Sequence, residues 1–268
     1  MRLFLGGLRK LPPRPATWVT IGLLLGLILL VFLAVGGTAG QANVRGGEAR
    51  LGLVTFPGAY RYIFSFVLGF GGLLALIYGA AIAGSEWTWG TLKSAVARGE
   101  GRARYVVLTF AATAVLIGVG LLLAFGVGVI AAFAGAHLAS ISTAGISDGA
   151  MIGRLPADLA KLWLGLAVDG ALGYAIATLA RSQLGGIGAG IAIYFGSQFG
   201  GLFLPDVVKY LPFSAASAML GSDLAGGGGN GPGFSPLDPT SALVVVVAWL
   251  IGALIVAAAF TERAEIGG

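Results

Sequence analysis

The chain contains no cysteine, which excludes disulfides, thiolate nucleophiles and cysteine-ligated metals but does not choose a compartment. It has a single histidine, His137, too few for a histidine-based metal cluster. Charge is scarce too: 10% of residues are Asp, Glu, Lys or Arg, against roughly 25% in soluble domains. No G-x-x-x-x-G-K-[ST] pattern occurs, so no P-loop cradles a nucleoside triphosphate here and any ATP chemistry must come from a partner.

What fills the space left by charge is apolar: 57% of residues are hydrophobic and the mean hydropathy is +0.94. Six apolar runs, near 17–36, 62–83, 105–134, 158–180, 184–204 and 241–261, each reach the roughly 20 residues that a ~30 Å hydrocarbon core requires. The fold class read from this is all-α integral membrane with six transmembrane helices. The first run exceeds the roughly 7–15 residues of a signal-peptide core and reads as a retained span. Basic residues set the orientation. Arg2, Arg9, Lys10, Arg14, Lys93, Arg98, Arg102, Arg104, Arg181 and Arg263 fall on one side, against Arg45, Arg50, Arg61, Arg154, Lys161 and Lys209 on the other. Ten against six puts both termini and the 84–105 stretch in the cytoplasm, at the cytoplasmic membrane.

Residues 1–16 place Met1, Phe4, Leu5, Leu8 and Leu11 at helical spacing with Arg2, Arg9 and Lys10 mostly elsewhere around the helix. That pattern predicts an amphipathic helix in the inner interface, stopped by Pro12 and Pro13. The alternative is a frayed basic terminus that serves the positive-inside rule. The 47 glycines include "GGIGAG" at 185–190, which has no preceding strand and reads as close helix packing. Gly118, Gly120, Gly126 and Gly128 in the third run, and Gly165, Gly170 and Gly173 in the fourth, are read the same way.

Between the second and third runs stands "GSEWTWGTLKSAVARGEGRARY", residues 84–105. Trp89, Leu92 and Val96 fall at i, i+3 and i+7, a narrow apolar stripe on a helix too short and polar to span, with Gly99 placed to stop it. Such a helix lies along the membrane or docks into another protein; a connecting loop with interfacial tryptophan anchors is the other reading. Glu86, then Gly90-Thr91-Leu92, then a basic segment opening a long span resembles the ABC-2 type family of ABC transporter permeases, and the motif follows the second of six runs as it does there. "ATLARSQ" at 177–183 is similar to that family's tight turn between spans four and five, and "KYLPFSAASAML" at 209–220 to its outer segment before the last span. Gly99 and Thr109 stand where the family commonly has proline and often has lysine.

The resemblance implies a transmembrane domain over 17–268, with a cytoplasmic coupling helix at about 86–98 and a partly re-entrant outer segment at about 205–221. It implies a permease subunit of an ATP-driven exporter working by alternating access. A separate cytoplasmic P-loop ATPase, in two copies, would hold ATP and Mg and do the hydrolysis. A second permease chain would complete the pathway, the chain itself being neither enzyme nor cofactor- or metal-binding, and without a nucleic-acid partner. Glu86, Trp87, Trp89, Gly90, Thr91, Leu92 and Lys93 would form the ATPase-coupling surface. Asp169, an acid near the middle of the fourth run, is the candidate for the translocation pathway, because charge at that depth is seldom left facing lipid. A proton-coupled secondary transporter and a non-transporting membrane scaffold are the rival readings. Arg45, Glu48 and Arg50 are expected in the first outer loop, Arg154 and Asp158 in the second, and a glycine-rich linker at 224–240.

Overall fold

A computed structural model describes residues 2–38, 51–221 and 235–264. Arg45, Glu48, Arg50 and most of the glycine-rich linker lie outside the described residues. The described residues form helices without a single strand: α1 (Arg2–Lys10), α2 (Pro15–Thr38), α3 (Gly58–Thr88, with a π-helical segment Val67–Gly71), α4 (Thr91–Ala97), α5 (Arg102–Leu138), α6 (Gly149–Ala180), α7 (Gln183–Phe203), α8 (Pro205–Val208), α9 (Pro212–Leu220) and α10 (Pro239–Arg263).

Among the described residues, five helices are long and apolar enough to cross a membrane: α2, α3, α5, α6 and α10. The fifth apolar run of the sequence forms α7, whose 21 residues include Gln183, Gln198 and seven glycines; these dilute its hydropathy, and it is not among the five. α6 begins at Gly149, nine residues ahead of the run at 158. Arg154 and Asp158 therefore belong to a helix and not to a loop, and Asp158 is buried. Pro156 is accommodated inside this helix near its start.

The core is built from close backbone contacts. α3 packs along α6, where a Cβ at Gly79 would strike the carbonyl of Gly170 and one at Gly173 the carbonyl of Leu76. Without side chains, the two helices meet backbone to backbone, the approach that small residues permit. Elsewhere Gly186 meets Ala177, Gly190 meets Leu76, Gly118 meets Trp163 and Gly128 meets Ile63. Gly126 and Gly188 face open space, so packing does not explain these two.

Both described ends of the chain come to one end of this bundle. Arg102 donates to the carbonyls of Glu262 (3.0 Å) and Ala264 (2.8 Å), tying the start of α5 to the end of α10. Arg181, at the α6–α7 turn, stacks over Trp87 and Phe260 at 5.3 and 5.2 Å. At the opposite end, α8 and α9 fold back into the bundle. Phe213 meets Tyr194 edge to face at 4.9 Å, Ala216 lies 3.1 Å from the Cβ position of Gly165, and Trp249 donates to the Tyr210 carbonyl at 2.8 Å.

Candidate functional site

The 84–105 stretch divides at Gly90. Its φ of +63° is a left-handed conformation that glycine adopts without strain, and it separates the end of α3 from the start of α4. Glu86 and Trp87 therefore lie on the last turn of α3, whereas the sequence suggested one helix over 86–98. α4 ends at Ala97, and Gly99, with φ +84°, closes it where its type predicts a stop.

Glu86 is 3% exposed and collects donors from four other segments. Lys10, at the end of α1, donates to Oε1 and Oε2 at 3.0 and 3.2 Å. Arg14, between α1 and α2, donates through Nη2 to Oε1 at 2.6 Å and through Nη1 to the Ser85 hydroxyl at 2.8 Å. The Thr91 hydroxyl of α4 and the Tyr105 hydroxyl of α5 both donate to Oε2. Local sequence explains each position. Pro12 and Pro13 break α1 before α2 begins at Pro15, leaving Arg14 in the connection and 7% exposed. Tyr105 sits in the first turn of α5. Two cations and two hydroxyls around one carboxylate satisfy the buried charge, as a low-dielectric site demands. Thr109 stands near this centre, and the positive charge facing Glu86 comes from the N-terminal segment.

The remaining sequence-predicted residues separate into inner and outer sets. Leu92, 4% exposed, packs with Ala95 and Tyr105, with Leu3, Trp87 and Val96 against them. Leu92 and Val96 of the apolar stripe are thus packed against the chain's own α1, α3 and α5. Trp87 lies edge-on to Phe260 at 6.3 Å. Trp89 is 63% exposed and its ring covers the Arg14 guanidinium at 5.2 Å. Lys93 is exposed. Of the seven residues, Trp89 and Lys93 present open side chains beside the bare backbone of Gly90.

Asp169 lies apart from this cluster. It is 1% exposed at the α3–α6 contact, with Oδ2 2.5 Å from the Cβ position of Gly72 and Oδ1 without a hydrogen-bond partner. A cavity of about 40 Å³ bounded by Thr17, Tyr78, Gly71 and Leu166 does not include it.

Lys10, Arg14 and Tyr105 are the members that sequence reasoning missed. Basic residues ahead of an apolar run have a sufficient explanation in the positive-inside rule, and nothing local announces a partner 72 positions away. The signal in the sequence is Glu86 itself: an acid at the end of an apolar helix needs a cation from somewhere.

No group of three or more His, Asp or Glu side chains that could hold a metal stands together among the described residues. No family model matches the chain, and no curated protein matches it.

Proposed function

We propose that this chain is the membrane-spanning permease subunit of an ATP-driven exporter, with α4 as the helix through which a cytoplasmic P-loop ATPase moves the bundle. The observation that supports this reading is the Glu86 cluster. One carboxylate joins the ends of α1, α3 and α5, the α1–α2 connection and α4, so a push on α4 is passed to two spans and to the entry of a third. A short surface helix serving only as a connection has no need of such a fastening.

The reading includes six crossings. α7 starts beside the end of α3, where a Cβ at Gly84 would overlap Gln183, and its 21 residues extend about 31 Å at 1.5 Å per residue, the thickness of the hydrocarbon core. One face of α7, with Gly186, Gly190, Tyr194, Ser197 and Gly201, is buried where it packs on α3 and α6. Leu184, Phe199 and Phe203 stand exposed on the rest, apolar side chains that suit a lipid-facing surface. α8 and α9 then form the outer segment that closes the pathway mouth, and both termini are cytoplasmic.

The test is co-expression with a P-loop ATPase and measurement of complex affinity. Trp89→Ala with Lys93→Glu is expected to weaken association at least about tenfold, the scale of a lost interface anchor, with the thermal midpoint of the permease unchanged. Association at wild-type affinity would remove the coupling role from α4. A second reading, a proton-coupled transporter, is favoured by the partnerless oxygen of Asp169. Transport driven by a pH gradient in proteoliposomes without ATPase, abolished by Asp169→Asn, would replace the first reading by the second.

A further inference from the structure

A cleft of about 450 Å³ lies between α1, α4 and the start of α5, bordered by Leu3, Gly6, Lys10, Glu86, Arg98 and Tyr105, with the hydroxyls of Thr91, Ser94 and Thr109. Its volume is within the range of small-molecule sites. Its depth in the bundle is fixed by its walls: Glu86 is on the last turn of α3, and Tyr105 on the first turn of α5. It therefore lies just past the ends of the spans, in the layer that lipid headgroups occupy.

The charge around the cleft has one sign in excess. Lys10 and Arg98 line it, and Arg14 backs the same carboxylate, against Glu86 as the facing acid. Glu86 is already saturated by five hydrogen bonds from four donor groups. Arg98 is exposed. The hydroxyls of Thr91 and Ser94 already donate to Glu86 and to the Gly90 carbonyl, so the wall offers an anion its cations and leaves no acceptor free on Glu86 for a cation.

The glycine pair of α1 separates packing from access. A Cβ at Gly7 would come within 2.8 Å of Ala112, so close approach to α5 explains that glycine. A Cβ at Gly6 meets nothing within 4 Å, although glycine inside a helix costs about 1 kcal/mol relative to alanine. Packing gives no reason for it, and it borders the open cleft, as Gly7 also does.

We infer that this cleft binds the phosphate group of an anionic membrane lipid, held by Arg98 and Lys10 with the acyl chains leaving past Gly6 and Leu3. Juxtamembrane cations contribute about 1 kcal/mol each toward anionic lipid, so loss of one corresponds to about a fivefold change in affinity.

The experiment uses the full chain in detergent, with native mass spectrometry to measure binding of dihexanoyl-phosphatidylglycerol, dihexanoyl-phosphatidylcholine and inorganic phosphate. Wild type is expected to hold one phosphatidylglycerol in preference to phosphatidylcholine. Arg98→Gln is expected to weaken it about fivefold and Gly6→Leu to weaken it by filling the cleft, while Arg104→Gln, exposed and not among the residues that line the cleft, leaves it unchanged. Gly6→Leu replaces a poor helix former by a good one, so its thermal midpoint should hold or rise, which separates lost binding from lost folding. Unchanged affinity in both cleft variants, or equal binding of the two lipids, overturns the proposal. Displacement of phosphatidylglycerol by an equal concentration of inorganic phosphate assigns the cleft to free phosphate and overturns the lipid assignment.

Discussion

At the scale of single residues, the consequence of burying Glu86 with Arg14 is asymmetric. Removing one member of a buried ion pair leaves the other uncompensated, at a cost of about 3–5 kcal/mol, whereas replacing both by apolar groups is often tolerated. Glu86→Gln is therefore expected to lower the thermal midpoint in detergent sharply. Adding Arg14→Met to the same chain should recover most of the loss. A double variant as unstable as the single one would mean that Lys10, Thr91 and Tyr105, and not Arg14, determine the cost.

A second residue gives a dependence on pH. Asp238 caps α10, accepting from the amides of Thr240 and Ser241 at 3.0 and 3.1 Å, and these bonds, the Ser241 hydroxyl foremost, hold its carboxyl below the ordinary value of 3.8. Because the folded value is the lower one, the cap's contribution is complete above 3.8 and is lost as pH falls below it. Asp238→Asn keeps an acceptor at the cap. Thermal unfolding measured from neutral to acid pH should show a smaller acid-side loss in that variant than in wild type.

At the scale of elements, the glycines fall into those that meet backbone and those that meet nothing. Gly173→Ala places a methyl against the Leu76 carbonyl and must force α3 from α6, an overpacking cost of about 1–3 kcal/mol. Gly188→Ala meets open space and should be neutral or stabilising by up to about 1 kcal/mol from helix propensity. Midpoints of the two variants in one detergent check both signs; equal effects would mean that the α3–α6 contact yields easily. Much at this scale was legible in sequence, since long apolar runs bounded by charge and proline locate helices without knowledge of their neighbours. The starts were less legible. α6 carries Arg154, Pro156 and Asp158 in its first turns, residues that look like loop until the helix's own length and packing overrule them. For α4, the apolar stripe reads as a surface for the membrane or a partner; Leu92 is buried within the chain while Trp89 stands exposed ahead of the helix. Which surface covers such a stripe is a tertiary fact, and Leu92 turned inward onto α1 and α5 because those were nearest.

At the scale of the whole molecule, the basic residues divide as the helices do. Lys10, Arg14, Arg98, Arg102 and Arg181 converge on the end where both described termini meet, while Lys209 pairs with Asp206 at 2.9 Å at α8, beyond α7. Cysteine placed at Ser94 and at Gly149, both exposed, marks the two ends in a chain that has no cysteine of its own. In whole cells an impermeant thiol reagent is expected to label Gly149→Cys and to spare Ser94→Cys until the cells are opened. The opposite pattern would invert the orientation and place α4 out of reach of any cytoplasmic ATPase.

The pairing of Arg14 with Glu86 also has a history within each molecule. The two residues are separated by 72 positions, which a ribosome working at 5–20 residues per second covers in about 4–14 s. In the proposed orientation, Lys10 and Arg14 stand unpaired for those seconds beside the first hydrophobic helix, at their most effective as a barrier to translocation of α1. When Glu86 arrives, the barrier is no longer needed and its charge is absorbed into the fold. In that orientation the same two cations would serve first as a signal to the insertion machinery and then as a joint.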